Sequence, residues 1–334
     1  MKALVTGGSG FIGSTLIEEL NRRGYDVYAL LRKTSPLNNL ESSKFTRVEG
    51  DLSDTESLKR AVRGMDYVFH VAGVVRFHDQ ASIFRLNAEG TRNVVEAVAS
   101  DDPGIKRFVY VSSQAAGGPA ASLEAPRTEA ELAAPVSVYG QSKLQGEVEV
   151  LKYRSRFPVS IVRPPMVYGP RDKDVFTVIQ TVSRRLMPLI RGGTKDGSKY
   201  YSLIHVRDLC RGIALAAEAD PARVPSGEIF YLTDGAIYTY RELLLSMARA
   251  LNVRAFSIQV PQPVVTALAG ALSAVGKVTG RSFPLNQDKL NEIRPDYWVC
   301  SSEKAKDMLG FQAELNLSSG MQDAIRWYKD QKWI

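Results

Sequence analysis

Glycine spacing in the first fourteen residues, Met1-Lys-Ala-Leu-Val-Thr-Gly-Gly-Ser-Gly-Phe-Ile-Gly-Ser14, constrains this chain more than any other feature. Ala3 to Thr6 is apolar and β-branched, so it reads as a buried strand that begins at the second residue. Glycines follow at 7, 8, 10 and 13. Two of them are expected to take positive φ in a tight turn, and one to let a pyrophosphate approach the backbone. Gly13 is expected to let the next helix pack closely on the strand. Ile12, Leu16 and Leu20 fall on one helical stripe, and Gly24 is its stop signal. The segment Gly7, Ser9, Gly10, Phe11, Ile12, Gly13 therefore presents free N–H groups at the positive end of a helix dipole, which is a site for a diphosphate. Strand, glycines and helix in that order supply the context that a bare glycine turn lacks.

With 334 residues the chain accommodates one dinucleotide-binding domain and a smaller lobe. Cys210 and Cys300 form no disulfide framework and lack metal-ligand spacing, which fits a reducing cytoplasm. A signal peptide is not expected, because the N-terminus is itself the first core strand. The net charge of +7 is spread among acidic residues rather than gathered in a stripe, so the expectation is anionic small ligands and not nucleic acid. His70, His78 and His205 make no ligand cluster, and no metal is expected.

Asp26 to Leu31 reads as the second strand, ending in Leu31-Arg32-Lys33. An acidic residue near this point holds ribose hydroxyls in NAD-binding versions of such a fold, whereas a basic one accommodates a 2′-phosphate. Arg32 and Lys33 therefore favour NADP(H) over NAD(H). Gly50-Asp51-Leu52 closes a third strand and places Asp51 to accept from an adenine amino group, and Ser53 to Glu56 reads as a capping box. Tyr67 to Val71 is a fourth strand, and Val71-Ala72-Gly73 is a small-residue exit where a cofactor can lie. A long helix is expected from about Ala81 to Ala99 and a fifth strand over Phe108 to Ser113. Ala115 to Pro135 reads as a loop over the site. Tyr139 and Lys143 are four apart, so on a helix they share a face. The lysine ammonium is expected to lower the phenol pKa and to hold the ribose hydroxyls, while Ser113 polarises a substrate oxygen. Tyr139 would then donate a proton to that oxygen while hydride reaches the carbon, or the reverse.

With these residues in view the chain resembles the extended short-chain dehydrogenase/reductase family, an α/β class built on a Rossmann-type doubly wound parallel sheet with a smaller, discontinuous C-terminal lobe. Thr6 to Gly13 is similar to the family's nucleotide fingerprint, and Ser113, Tyr139 and Lys143 match its catalytic triad, with Ser112 as a structural neighbour. The resemblance implies that Asp51 and the adjoining Leu52 contact the adenine and that residues 71–75 turn over the cofactor. It further implies that Asn87 lines the nicotinamide side and that Arg163 to Pro170, with Pro164, Pro165 and Val167, touches the carboxamide. It also implies a homodimer. Ser301 to Phe311 resembles the family's C-terminal segment, so the likeness runs from end to end.

On the family's plan, residues 1–168 with 202–235 form the cofactor domain and 169–201 with 236–334 the substrate lobe. Leu203 to Leu209 is expected to lead back to the sheet, followed by a helix to about Ala219 and a strand over Glu228 to Thr233. Thr239 to Glu242 reads as a capping box. Members acting on nucleotide sugars carry a diphosphate-gripping arginine at the position of Tyr201. Loss of such a clamp costs a few kcal/mol unless another cation substitutes, and Arg184, Arg185, Arg191 and Lys199 are the available cations. Ser113 is followed by Gln114 and Ala115, which departs from the Thr-Asp-Glu of 4,6-dehydratases. No charged residue lies between Arg254 and Lys277, and Pro263 to Val275 reads as an apolar helix too short to span a bilayer: a core helix, a lid over an apolar pocket, or a peripheral membrane contact. This pattern is similar to the branch with 3β-hydroxysteroid dehydrogenases and dihydroflavonol reductases. The expected function is NAD(P)-dependent hydride transfer to or from a ketone or secondary alcohol of a mainly apolar substrate. The alternatives are a nucleotide-sugar epimerase and a cofactor sensor without turnover.

Overall fold

The computed structural model describes all residues except 76–78, 102–103, 280–282 and 284, together with the side chains at 101, 277 and 278. His78 lies outside the described residues. In chain order β1 (Lys2–Thr6), α1 (Phe11–Arg22), β2 (Asp26–Leu31), β3 (Thr46–Glu49), α2 (Thr55–Val62) and β4 (Tyr67–His70) come first. They lead to α3 (Gln80–Phe84), a π turn (Arg85–Glu89), α4 (Gly90–Asp101), β5 (Arg107–Val111), α5 (Gln114–Gly117), α6 (Val138–Leu151) and β6 (Val159–Arg163). Next are β7 (Met166–Tyr168), α7 (Asp174–Ser183), β8 (Leu186–Ile190), β9 (Tyr200–His205), α8 (Val206–Glu218) and β10 (Glu228–Tyr231). The chain closes with β11 (Ile237–Thr239), α9 (Tyr240–Leu251), β12 (Phe256–Val260), α10 (Gln262–Thr279), α11 (Gln287–Ile293), β13 (Tyr297–Trp298), α12 (Glu303–Leu309) and α13 (Leu317–Asp330).

Seven parallel strands make the central sheet in the order β10-β6-β5-β4-β1-β2-β3. Strand order reverses between β1 and β4, and the crevice beyond their carboxyl ends is where an open α/β sheet binds its ligand. β4, β5 and β6 are buried along their whole length, as a parallel sheet covered on both faces requires. One face packs Leu16, Ile17 and Leu20 of α1 with Leu209 and Ile213 of α8. The other packs Leu58 of α2, Val94 and Val98 of α4 and Val150 of α6. Truncating any of these leucines to alanine costs about 2–5 kcal/mol.

The remaining strands lie off this sheet. β9 pairs with β7, β11 and β13, so Leu203 to His205 lies in a second sheet, and the segment through Leu209 leads back to the main sheet along α8. β8 and β12 form a separate parallel pair. Tyr168, Leu203, Leu244, Met247, Met321 and Ile325 build the core around α7, α9 and α13, while Ala305 of α12 and Phe311 join the core beneath the main sheet.

Local details correct three expectations. Only Gly7 among the loop glycines has positive φ, at 72°, whereas Gly13 is required by close approach to the Gly7 backbone. The cap of α2 is Asp54, which accepts from the Ser57 N–H, while the Ser53 hydroxyl donates to Asp51. The loop expected from Ala115 opens with the short helix α5 before running on through Arg127, which bridges Cys300. The Thr239 capping box is present.

Candidate active site

The loop between β1 and α1 is shaped so that nothing larger than glycine fits at positions 7 and 13. A Cβ on Gly7 would sit 2.7 Å from the Ala72 nitrogen, and one on Gly13 would sit 2.1 Å from the Gly7 oxygen. Gly10 is the N-cap of α1 and brings no side chain to its first turn, so the N–H groups there stay available to an anion. Ser9 is tied down through its carbonyl, which accepts from Asn39. Val71, Ala72 and Gly73 leave β4 beside this loop, with Ala72 donating to the Thr6 hydroxyl. Such a cradle fits a dinucleotide diphosphate.

A buried relay ties the two loops together. Thr6 Oγ1 lies 2.7 Å from His70 Nδ1, His70 Nε2 lies 2.9 Å from Thr91 Oγ1, and Thr91 donates to the Asn87 carbonyl. Since Thr91 spends its proton on Asn87, its oxygen accepts from His70 Nε2–H, which leaves Nδ1 to accept from Thr6. Burial, with a smaller contribution from Lys143, holds the His70 imidazole down at about 3, so it stays neutral. Asn87 itself is fully buried: its amide accepts from Val74 N–H and donates to the Val74 carbonyl and the Ser142 hydroxyl. The π turn falls at this residue, where the expected single helix gains its irregularity; such bulges are frequent at functional sites.

At the other end of the crevice, Asp51 Oδ1 accepts from the Ser53 N–H and hydroxyl, and these bonds, with help from Arg32, hold the carboxyl below its usual range. Leu52 accepts from Asn93. Arg32 and Lys33 follow β2 on the exposed side; Lys33 lies 3.4 Å from Glu49. Arg47 of β3 donates to the carbonyls of both Arg32 and Lys33 and brings a third cation to this corner, which the sequence reading missed.

Tyr139 and Lys143 both lie on α6, whose N-cap Ser137 accepts from the Gly140 N–H. Ser113 is the N-cap of α5 at the carboxyl end of β5, where its hydroxyl accepts from the Ala115 N–H and is near enough to the Tyr139 phenol to favour its ionisation. Lys143 is buried, donates to the Val111 carbonyl at 2.9 Å and lies 4.3 Å over the Tyr110 ring. A Cβ on Gly73 would come within 3.4 Å of both Lys143 Nζ and Asn87 Oδ1. These residues are therefore brought together. Their electrostatics differ from expectation: burial pushes the Tyr139 phenol up to about 12 against the opposing Ser113 hydroxyl, and burial pulls Lys143 down to about 7. Lys143 does not lower the phenol here because it is itself desolvated and committed to Val111.

Below this trio lies a buried ion network. Arg163 makes a two-pronged contact with Glu147, at 2.8 and 2.6 Å, and Glu147 also accepts from Ser112. Glu147 is one turn beyond Lys143, an i,i+4 spacing that could have revealed it in the sequence. Pro164 accepts from the Gln114 N–H, and Pro165 and Val167 continue the same segment into β7.

On the substrate side, Tyr201 packs within the second-lobe core and lies 6.0 Å from the Tyr240 ring. Lys199, one of the cations available in its stead, is buried and donates to the carbonyls of Arg294 and Pro295 and to Asp296, which uses all three of its N–H bonds. Arg184, Arg185 and Arg191 are exposed.

Fold and site together define an NAD(P)-dependent oxidoreductase of the extended short-chain dehydrogenase/reductase class. Residues 3–232 match the NAD dependent epimerase/dehydratase family, and the chain belongs to it. It is 30% identical over 98% of its length, and 96% of the relative's, to the 4-hydroxy-2-methyl-3-oxo-4-farnesyl-3,4-dihydroquinoline-1-oxide ketoreductase of Stigmatella aurantiaca. It is also 30% identical to the 3-beta-hydroxysteroid dehydrogenase of Mycolicibacterium neoaurum, over 98% of this chain and 92% of the relative. By fold it is similar to UDP-glucose 4-epimerase from Thermotoga maritima with UDP-glucose, with a TM-score of 0.79, 22% identity and coverage of 99% and 100%. Among the described residues no helix is long and apolar enough to cross a membrane.

Proposed function

We propose that this chain is an NADP(H)-preferring reductase of ketones, or dehydrogenase of secondary alcohols, acting on a mainly apolar substrate. The observation that carries the reading is the convergence of Ser113, Tyr139 and Lys143 at the carboxyl edge of the sheet, facing a lobe in which Tyr201 is packed in the core and Lys199 has no donor to spare. The relatives named as a ketoreductase and a hydroxysteroid dehydrogenase support it.

Bound nicotinamide would supply or take the hydride. The chain's own residues do the rest. Tyr139, whose phenol keeps its proton to about pH 12, gives it to the substrate oxygen, and Ser113 polarises that oxygen. Lys143 holds the ribose, Asn87 and residues 71–73 line the cofactor, and the glycine loop seats the diphosphate. Asp51 with Leu52 takes the adenine, Pro164, Pro165 and Val167 the carboxamide, and Arg32 and Lys33 a 2′-phosphate. The lobes divide at 1–168 with 202–235 and 169–201 with 236–334, with Ala305 and Phe311 of the latter reaching back beneath the main sheet. A cytoplasmic location accords with two buried, unpaired cysteines, and a homodimer with the family resemblance.

The test is NADPH consumption with a panel of apolar ketones. Tyr139→Phe should lower turnover by about 10² or more with cofactor binding kept; wild-type turnover in that variant would refute the assignment. Interconversion of UDP-sugars with retained cofactor and no ketone reduction would replace the reading with an epimerase.

A further inference from the structure

The chain's positive charge has an address. Residues 175–195 contain four basic residues and no acidic one, and residues 243–287 again four basic and no acidic one. Taking these eight from the net +7 leaves −1 for the rest of the chain. The two segments meet in the fold: they contribute β8 and β12, which pair from Leu186↔Phe256 to Ile190↔Val260.

Side chains paired across parallel strands share a face and alternate along it. Leu186, Phe256 and Ile258 thus lie on one face with Ile190 and Val260. The far end of that face is covered, since Ile190 and Val260 pack on Val265 and Ala269 of α10 and Leu290 of α11. The near end is open: Phe256 is 70% exposed, and Leu186 and Ile258 are exposed beside it. α10 buries Val265 and Ala269 and turns Val264, Leu268 and Val275 to solvent; these three fall on one stripe at i, i+4 and i+11. Arg184 and Arg185 precede Leu186 and Arg254 precedes Phe256, so three exposed arginines gather at the open end.

We infer that this β8–β12–α10 face docks on an anionic lipid bilayer. Exposed aliphatic and aromatic side chains on a helix and a strand pair, with three arginines at the open end of the pair, match an interfacial element that buries its apolar side at the headgroup boundary while cations meet lipid phosphates. A second copy fits less well, because a symmetric contact would press two like-charged faces together. The face is one helix away from the reaction site: α11 follows α10, and its Asp288 accepts from the backbone of Val138 and Tyr139. An apolar substrate leaving the bilayer would therefore enter beside Tyr139, and this purpose, though not the docking itself, rests on the proposed function.

Sedimentation with phosphatidylcholine vesicles, with and without phosphatidylglycerol, tests the inference on the full chain. The wild type should pellet with the anionic vesicles, and added salt should weaken binding by screening. A variant combining Arg254→Glu, Phe256→Ser and Leu268→Ser, all at exposed positions, should bind at least about tenfold more weakly. Its thermal midpoint and turnover of a water-soluble ketone should be unchanged. Failure of the wild type to pellet with anionic vesicles, or equal binding by the variant, overturns the docking site. So does a loss of self-association in the variant without a change in vesicle binding, which would assign the face to a second copy. Vesicle binding without any ketone reduction would leave the docking site standing and remove the proposed function.

Discussion

Asp288 on α11 accepts the backbone N–H of Tyr139 at 3.3 Å, and through its other oxygen that of Val138 at 2.7 Å. A carboxylate from a distant part of the chain thus satisfies two of the orphan donors at the start of α6 and complements its dipole. Glu292, one turn further along α11, accepts from the Ser137 hydroxyl that caps the same helix. Both contacts fix where α6 begins, and Tyr139 is its second residue.

Asp288→Ala should therefore cost about 1–2 kcal/mol of stability, the scale of a lost cap, and lower kcat about tenfold through misplacement of the phenol while leaving cofactor affinity unchanged. Asp288→Asn, which keeps an acceptor for Val138, should restore most of kcat. Steady-state kinetics and cofactor titration on both variants check this, and a kcat for the alanine variant within twofold of wild type refutes it.

The contrast between what the sequence revealed and what it hid follows from the range of the interactions. β1 and β2 were legible because glycines and apolar runs act locally, and Tyr139 and Lys143 because four residues on a helix make one turn. The π turn at Asn87 was hidden, since Arg85 to Glu89 has no local helix breaker and the distortion accompanies a side chain bonded to Val74 and Ser142. Asp288 was hidden by a separation of 149 residues from Tyr139. Arg47 was hidden because nothing in its local sequence indicates that its guanidinium donates to the carbonyls of Arg32 and Lys33. The pKa of Tyr139 was misjudged because burial, which opposes the phenolate, cannot be read from the spacing of two residues.

Arg47 should matter for cofactor choice. It stands beside Arg32, whereas Lys33 lies near Glu49 and has part of its charge offset. Arg47→Ala should weaken NADPH binding about tenfold, the scale of one charge-assisted hydrogen bond, and leave NADH binding within twofold. Calorimetric titration of both nucleotides decides it; an equal loss for both would assign Arg47 to the fold of the β2–β3 corner alone.

Stability should fall in acid through two histidines. His70 and His205 are fully buried and held at about 3 by desolvation, against an ordinary 6.5. Between those values the unfolded chain binds more protons than the native one, so stability rises with pH and is lost as pH falls. The slope is up to about 1.4 kcal/mol per pH unit for each histidine. Denaturation followed across that window should show His70→Gln with a slope smaller by about one proton, and an unchanged slope would mean that His70 takes up its proton in the native state as well and is not held down by burial.

The last expectation separates the two titrating groups of α6. Burial holds Lys143 at about 7 while Glu147 pulls it upward, and burial keeps the Tyr139 phenol at about 12. A fall in kcat/KM above neutral pH, which reports the free enzyme, therefore belongs to loss of the Lys143 proton and not to Tyr139. An ammonium that turns into an amine loses its charge-assisted hold on ribose hydroxyls, so cofactor affinity should fall through the same pH. Tyr139→Phe removes the phenol and leaves the lysine, so its NADPH affinity should still decline as pH rises through about 7, although turnover is lost. Affinity that is flat across neutral pH in this variant, with a decline in the wild type, would hand the titration back to Tyr139 and require a phenol far more acidic than its burial allows.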